Sequence, residues 1–383
     1  MCSAAVTRLL ILLSIVFTLD FLGHFLLWRG WVKRPAWASS KLRGALTGFL
    51  VTMAILLPLG LILSRSLPRA FAQPLAYVSL GWLGLFFYAV VWMGLVDLTL
   101  VGARIFAKLR GQPPVDPERR KLLHQGAAVV AGAGTVGVGL VGLRGGLGEV
   151  EVKEVGVRLE RLPAALSGLS LVQLSDVHIG PTLGKRFLEG IVEHANRARP
   201  DAVVITGDLV DGSVAELREH VAPLAKLKSR WGTYFITGNH EYYSGAEEWV
   251  AHLRELGIRV LVNERTQLGD AQKIDLIGVN DWSVYAPHEP ALTQSLARGL
   301  DPDRERILLA HQPRSIPVAE ALDVGLQISG HTHGGQIYPF TELVRLTTPY
   351  VAGLYEHDVR SQIYVSRGTG YWGPRCGWGR RPR

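Results

Sequence analysis

The chain has 383 residues, 48% of them hydrophobic and 19% charged, with a formal net charge of +8. Residues 1–121 hold 14 Lys/Arg against 4 Asp/Glu, whereas residues 122–383 hold 27 against 29. The basic excess therefore flanks apolar stretches near the N-terminus instead of forming a patch on a soluble domain, and no nucleic-acid partner is expected. Cys2 and Cys376 lie at opposite ends of the sequence, which excludes a disulfide framework and a thiolate metal site.

The first element in chain order is LLILLSIVFTLDFLGHFLLW, enclosed by Arg8 and Arg29. A bilayer core of about 30 Å needs about 20 apolar residues in a helix. Three transmembrane helices are predicted, at about 8–28, 44–64 and 74–103. The first is too long for a signal peptide and lacks its cleavage pattern. A fourth candidate, 122–143, carries no formal charge and is long enough to span. Its many Gly and Ala residues would let it pack closely against other helices; the alternative is a flexible linker. Asp20 and His24, four residues apart, share one helix face, and Asp97 falls in the third helix. Pairing within the bundle, or a place near the membrane edge for Asp97, is the plainer account of such groups than a functional one.

Basic loops mark the cytoplasmic side. Arg29, Lys33, Arg34, Lys41 and Arg43 follow the first helix; Arg104, Lys108, Arg110, Arg119, Arg120 and Lys121 follow the third. With four spans, everything from 150 onward faces away from the cytoplasm; with three, it stays inside. The expectation is a multi-pass cell-membrane protein, 1–149, carrying an extracytoplasmic domain, 150–383.

From about 150 the pattern changes. Short apolar runs, LSLVQLS (169–175), AVVIT (202–206), TYFIT (233–237), KIDLIGV (273–279), RILLA (306–310) and LQIS (326–329), alternate with helical patterns. In 185–198, Phe187, Leu188, Ile191, Val192 and Ala195 form one helical stripe. This alternation predicts an α/β domain built around buried strands.

Metal-ligand residue types follow five of these runs. LSDVHIG supplies Asp176 and His178, ITGDLVDG Asp208 and Asp211, ITGNHEYY Asn239, His240 and Glu241, LLAHQP His311, and ISGHTHGG His331 and His333. In α/β sheets, sites gather at the carboxyl ends of strands. Asp176/His178 and His331/His333 are i, i+2 pairs, and in extended backbone each pair would aim at one place. Gly207, Gly238 and Gly330 immediately precede candidate ligands, where a tight turn or close approach is needed. Alone, Asp-x-His is usually a surface turn, Gly-Asp a common turn, Asn-His-Glu a helix start and a strand-end His a core residue. Five such segments in one chain, each after an apolar run, are not explained that way. Mixed imidazole and carboxylate donors suit Mn, Fe, Zn or Co better than Ca or Mg. Seven candidate ligands exceed one ion's need but fit two ions sharing a carboxylate, and ions about 3.5–4 Å apart can clamp a phosphate and activate a hydroxide. Asp211 and Glu241 are read as supporting or turn residues and His288 as a loop residue.

The series D-x-H, G-D-x-x-D, G-N-H-E, a strand-end His and G-H-T-H resembles the calcineurin-like metallophosphoesterase superfamily. The surrounding LSDVHIG, TGDLVDG, TGNHEYY, LAHQP, SGHTHGGQIYPF and YVSRGTGYWGP look most like its bacterial membrane-associated or exported branch. The resemblance covers about 150–375. It implies two facing β-sheets flanked by helices. It also implies that Asp176, His178 and His333 bind a first metal, that Asn239, His311 and His331 bind a second, and that Asp208 bridges. His240 would contact the substrate phosphate and assist the leaving group. Family members usually continue past the Gly-Pro-x-Arg region with another strand; this sequence reads RCGWGRRPR there, without strand pattern.

The reading is thus a membrane-anchored, two-metal hydrolase of phosphomonoester, phosphodiester or pyrophosphate bonds, with no obligate protein partner. A phospholipid, a lipid-linked sugar or a cell-envelope polymer would suit a membrane-anchored enzyme. The rival is a metal-binding sensor or regulatory domain without turnover. His240 argues against it, because a structural site has no use for a non-ligand imidazole beside Asn239. Transport by the helices is a weaker rival, since they carry few polar residues.

Overall fold

The computed structural model describes residues 2–64, 67–148, 150–271, 273–336 and 340–371. The RCGWGRRPR stretch lies outside the described residues. The chain divides into two compact units, one up to Leu147 and one from Gly148 onward.

The first unit consists of α1 (Cys2–Trp28), α2 (Ser40–Leu63), α3 (Arg69–Leu109) and α4 (Pro117–Leu147). Four stretches are long and apolar enough to cross a membrane: Leu13–Lys33, Ser40–Leu63, Arg69–Leu109 and Pro117–Arg144. The helices overrun the predicted apolar stretches because Lys and Arg, which bound those stretches, are themselves good helix formers. Residues 122–143 are helix, not linker. A Cβ at Gly134 would lie 2.7 Å from the Trp92 ring and one at Gly139 2.4 Å from Leu85, so missing side chains let α4 approach α3. Asp20 and His24 pair within α1 (Nδ1–Oδ1 3.2 Å), and Trp82 Nε1 donates to His24 Nε2 at 3.0 Å. Asp97 pairs with Arg29 at 3.3 Å and with Arg34. The ionisable groups of these helices thus find partners within the bundle.

The second unit has two sheets. In the first, β1 (Leu171–Leu174), β2 (Ala202–Thr206), β3 (Thr233–Ile236) and β4 (Arg259–Val260) pair in parallel in that order. The second comprises β5 (Glu264–Leu268), β6 (Ile274–Gly278), β7 (Arg306–Leu309), β8 (Leu326–Ser329), β9 (Gly353–Glu356) and β10 (Gln362–Val365), in the order β5-β6-β7-β8-β10-β9. Only its outer pairs, β5 with β6 and β10 with β9, are antiparallel.

Side-chain alternation sets the layers. On β2, Ala202 and Val204 join Ile274, Leu276, Ile307, Leu309 and Ile328 in a buried cluster between the sheets. Val203 and Ile205 face the other way, toward Leu188, Ile191 and Val192 of α5 (Lys185–Arg197) and Trp249 and Leu253 of α8 (Ala246–Glu255). The predicted α5 stripe is buried at Leu188, Ile191, Val192 and Ala195. On the far side, Ile277 and Leu308 pack against Leu296 of α10 (Glu289–Ala297) and Val318 of α11 (Ile316–Ala321). The architecture is two facing sheets flanked by helices. Short helices α6 (Val214–Val221), α7 (Asn239–Ser244), α9 (Trp282–Tyr285) and α12 (Phe340–Thr347) complete it.

Candidate metal centre

Both sheets deliver residues to one place, from the carboxyl ends of β1, β2 and β3 on one side and of β7 and β8 on the other. The β1–β2 pairing continues past the strands: Asp176 N donates to Gly207 O (3.0 Å) and His178 N to Asp208 O (3.1 Å). Gly330 N donates to His311 O (2.9 Å). Backbone at five candidate ligands is left-handed: φ is +53° at Asp176, +51° at His178, +51° at Asp208, +71° at His331 and +49° at His333. Such non-glycine conformations are uncommon and cluster where a site over-determines them. Space is equally tight. Gly207 has φ +87°, and a Cβ there would meet Gly238 N at 2.5 Å. A Cβ on Gly330 would meet Ser175 Oγ at 2.0 Å and Asp176 Oδ2 at 2.2 Å.

The side chains form two groups able to hold a metal, Asp176–His178–His333 and Asp208–His311–His331, each with donor atoms within 4.8 Å of one another. In the first, His178 Nε2 lies 3.0 Å from His333 Nε2, and His333 Nε2 lies 3.6 Å from Asp176 Oδ1. In the second, His311 Nε2 lies 3.1 Å from Asp208 Oδ2 and 3.3 Å from His331 Nδ1. Two nitrogens at ~2.1 Å from one ion lie roughly 3.0–3.4 Å apart, so these spacings suit a shared cation. Asp208 Oδ2 is also 4.0 Å from His178 Nε2 of the first group, while its Oδ1 accepts from His240 N (2.9 Å). Asn239 adds a buried Oδ1 with no hydrogen-bond partner among the described residues. A buried amide oxygen in that state costs free energy unless something occupies it. The residues therefore fit divalent cations.

The extended-pair expectation fails for His331 and His333. Asp176 and His178 do share a group, but His331 and His333 belong to different ones. Thr332 between them is in the right-handed helical region (φ −77°, ψ −17°) and caps a 3₁₀ turn over His333–Gly335, so the segment is not extended and the two rings part.

Neighbouring groups set the protonation of the rings. His311 Nδ1 faces Thr206 O at 2.8 Å; a carbonyl can only accept, so Nδ1 carries the proton and Nε2 is left for an ion. Burial would lower the His311 imidazole, but the Asp208 carboxylate outweighs it and holds the pKa up at about 10. A cation at Nε2 would replace that proton. Burial and then the His311 charge push His331 down to about 4. Burial would raise the Asp208 carboxyl, yet the imidazoles of His311, His240 and His178 hold it far below the usual carboxylate range.

Asp211 and Glu241 have defined partners. Asp211 spans two rings, at 3.2 Å from His178 Nδ1 and 2.5 Å from His240 Nδ1. With Nδ1 of His178 so engaged, its Nε2 points to the first group. Asp211, His178 and His240 also form a third cluster with donor atoms close enough for an ion, but the carboxylate already bridges the two Nδ1 atoms. Glu241 is fully buried and accepts from Asp208 N (2.9 Å), Leu209 N (2.7 Å) and Gly238 N (2.6 Å), locking the Asp208 turn to the start of α7. Burial and then the Asp208 charge push Glu241 up to about 7. His288 lies in the turn between α9 and α10. For Asp211→Asn we expect roughly a 10–100-fold loss of metal affinity or activity, as for other carboxylates that orient a ligand histidine. Metal titration followed by calorimetry measures it; unchanged affinity and activity would remove Asp211 from the site's support.

Two features lie in stretches that carry the resemblance but have no role assigned from sequence. Tyr243, 76% exposed, sets its ring 5.4 Å from that of His240; their i, i+3 spacing on α7 is the signal. The loop after β10 is the other. Thr369 N donates to Ser175 O (2.7 Å) and Gly370 N to Asp176 O (3.0 Å), and a Cβ on Gly368 (φ +87°) would lie 3.0 Å from His333 Nδ1.

Residues 169–335 match the family model described as calcineurin-like phosphoesterase. A bovine (Bos taurus) transmembrane protein with metallophosphoesterase domain is 40% identical over 273 residues, 68% of this chain and 61% of that protein. A Helicobacter pylori (strain J99) uncharacterized metallophosphoesterase is 39% identical over 260 residues, 67% of this chain and 68% of that protein. A Danio rerio transmembrane protein with metallophosphoesterase domain is 40% identical over 234 residues, 58% of this chain and 53% of that protein. The chain thus spans between about half and two thirds of the length of these relatives, which are not confined to bacteria. The ordered motifs, the two-sheet architecture and these matches agree: the chain belongs to the calcineurin-like metallophosphoesterase family.

Proposed function

We propose that the chain is a membrane-anchored phosphoesterase with two divalent ions, hydrolysing phosphomonoester, phosphodiester or pyrophosphate bonds. The observation that carries the reading is the position of Asp208, whose Oδ2 lies 3.1 Å from His311 of one donor group and 4.0 Å from His178 of the other. In this reading Asp176, His178 and His333 hold one ion, Asn239, His311 and His331 the other, and Asp208 touches both. Such ions supply positive charge against the phosphate and make water acidic enough to attack near neutral pH.

The chain's own residues do the rest. Asp211 fixes the His240 ring through Nδ1, and Nε2 then lies 4.0 Å from Asp208 Oδ2, facing the centre. There the ring can donate to a phosphate oxygen and then to the departing oxygen. Burial would lower the His240 pKa, but the Asp211 hydrogen bond and the Asp208 charge raise it, which favours a proton on the ring. A sensor without turnover has no need of a ring so held.

Purified full-length chain, assayed in detergent with aryl monoesters, aryl diesters and nucleotide pyrophosphates, tests the activity. Turnover of at least one class with Mn, Fe, Zn or Co, abolished by a chelator and restored by the metal, is expected. Metal binding without hydrolysis of any class would favour the sensor reading.

Four stretches able to cross a membrane support a multi-pass anchor, as does the transmembrane description of the bovine and zebrafish relatives. With basic loops after α1 and α3 on the cytoplasmic side, the metal centre faces outward, where lipid-linked or cell-envelope phosphates are within reach. Reporter fusions at about position 160 should be active only with an extracytoplasmic reporter. Activity from a cytoplasmic reporter alone would leave three spans and an inward-facing domain.

A further inference from the structure

The end of the first candidate span, at Lys33, and the start of the second, at Ser40, flank an open cavity of about 580 Å³ lined by Trp28, Val32, Lys33, Arg43 and Thr47 among others. Its charge is unusual. Five cations occupy residues 29–43: Arg29, Lys33, Arg34, Lys41 and Arg43. Asp97 pairs with both Arg29 and Arg34. Lys33 and Arg43, the two that line the cavity, have no carboxylate at ion-pair distance among the described residues.

The walls are fixed in place. Trp28 Nε1 donates to Thr47 Oγ1 at 3.2 Å, which joins α1 to α2. The Lys33 ammonium lies over the Trp28 ring, 5.8 Å from its centroid. Arg43 donates to the Trp37 carbonyl, so its guanidinium is held with other N–H groups to spare. An apolar track leads away from the cavity along α1. Phe25 packs on Trp28 with centroids 6.0 Å apart and Phe21 on Phe25 at 6.5 Å, and both remain exposed, at 44% and 72%.

We propose that this cavity binds the headgroup phosphate of an anionic phospholipid, with an acyl chain lying along Phe25 and Phe21. Two uncompensated cations call for net negative charge, so a zwitterionic headgroup, which brings its own cation toward Lys33 and Arg43, fits worse. The apolar track and the place of the cavity at the ends of two spans select a lipid over free phosphate. Basic pockets at the cytoplasmic ends of membrane helices are suited to such headgroups. The proposal rests on α1 and α2 crossing the membrane.

The test begins with alkaline carbonate extraction of membranes containing the full-length chain. A chain released by carbonate would overturn the membrane reading and this site with it. With a chain that is retained, detergent-solubilised protein is titrated with phosphatidylglycerol, phosphatidylcholine or inorganic phosphate, and bound lipid is counted by native mass spectrometry. One copy of phosphatidylglycerol, held more tightly than phosphatidylcholine, is expected. Each variant removes a charge-assisted contact to the phosphate, so Lys33→Gln should weaken binding about fivefold and Lys33→Gln with Arg43→Gln about thirtyfold. Lys33 is exposed, so the single variant leaves the fold intact even if loss of Arg43 disturbs the Trp37 loop. Lys41→Gln removes a charge from the same loop but not from the cavity, and should leave binding unchanged. Equal weakening by Lys41→Gln and Lys33→Gln, equal affinity for the two lipids, or competition by inorganic phosphate alone at the same strength, would each overturn the site.

Discussion

Asp208→Asn is expected to lose both ions and to lose more turnover than any other single substitution in the centre. The carboxylate lies at 3.1 Å from His311 and 4.0 Å from His178, so in the proposed two-ion centre one change would remove a negative ligand from both. The amide that replaces it is the same size but neutral, and one of its atoms becomes a donor facing imidazoles that need an acceptor. Glu241 would still hold the turn through Asp208 N and Leu209 N, so the fold should survive and circular dichroism should be unchanged. Metal analysis after dialysis reads the outcome. Two ions still bound, with turnover intact, would show that Asp208 does not bridge.

His240→Asn is expected to behave differently. Its ring is tied to Asp211 and belongs to neither of the two main donor groups. Both ions should remain, while turnover falls by ~10²–10⁴-fold, the usual range for general-acid assistance. The fall should be steepest for esters with poor leaving groups, which depend most on receiving a proton. A plot of rate against leaving-group pKa for the two proteins therefore separates the roles. Metal lost in step with activity would make His240 a ligand; full activity on a poor leaving group would leave it a supporting residue.

Much of this architecture is legible along the chain because each buried strand is a short unbroken apolar run. AVVIT, RILLA and LQIS are buried along their whole strands, as β2, β7 and β8. The strands that went unread are those at or near sheet edges. ERTQL (β5) and GLYE (β9) are polar and half-exposed, because an edge strand meets the core on one side only. β4 has two residues, too few for any periodicity. In the site, residue type and order point to each candidate ligand, but side-chain direction does not follow from spacing. The i, i+2 rule presumes extended backbone, and between His331 and His333 the chain turns helical at Thr332 instead. The part played by Asp211 likewise depends on two rings, one of them 33 residues away in sequence, meeting one carboxylate. Nothing local in GDLVDG announces that contact.

The left-handed turns at Asp176, His178, Asp208, His331 and His333 also link coordination to folding. Each places an L-residue in a conformation about 1–2 kcal/mol less favourable than the right-handed one, and glycine would adopt it freely. Glycine brings no side-chain ligand, so the positions that serve the centre best are those least suited to stabilising the bare chain. Cation binding then supplies free energy to these segments that their own backbone does not. In the ion-free protein they belong at the weak end of the local stability range, ready to open before the sheets beneath them. Loss of metal would be felt first as fraying around an otherwise intact sandwich.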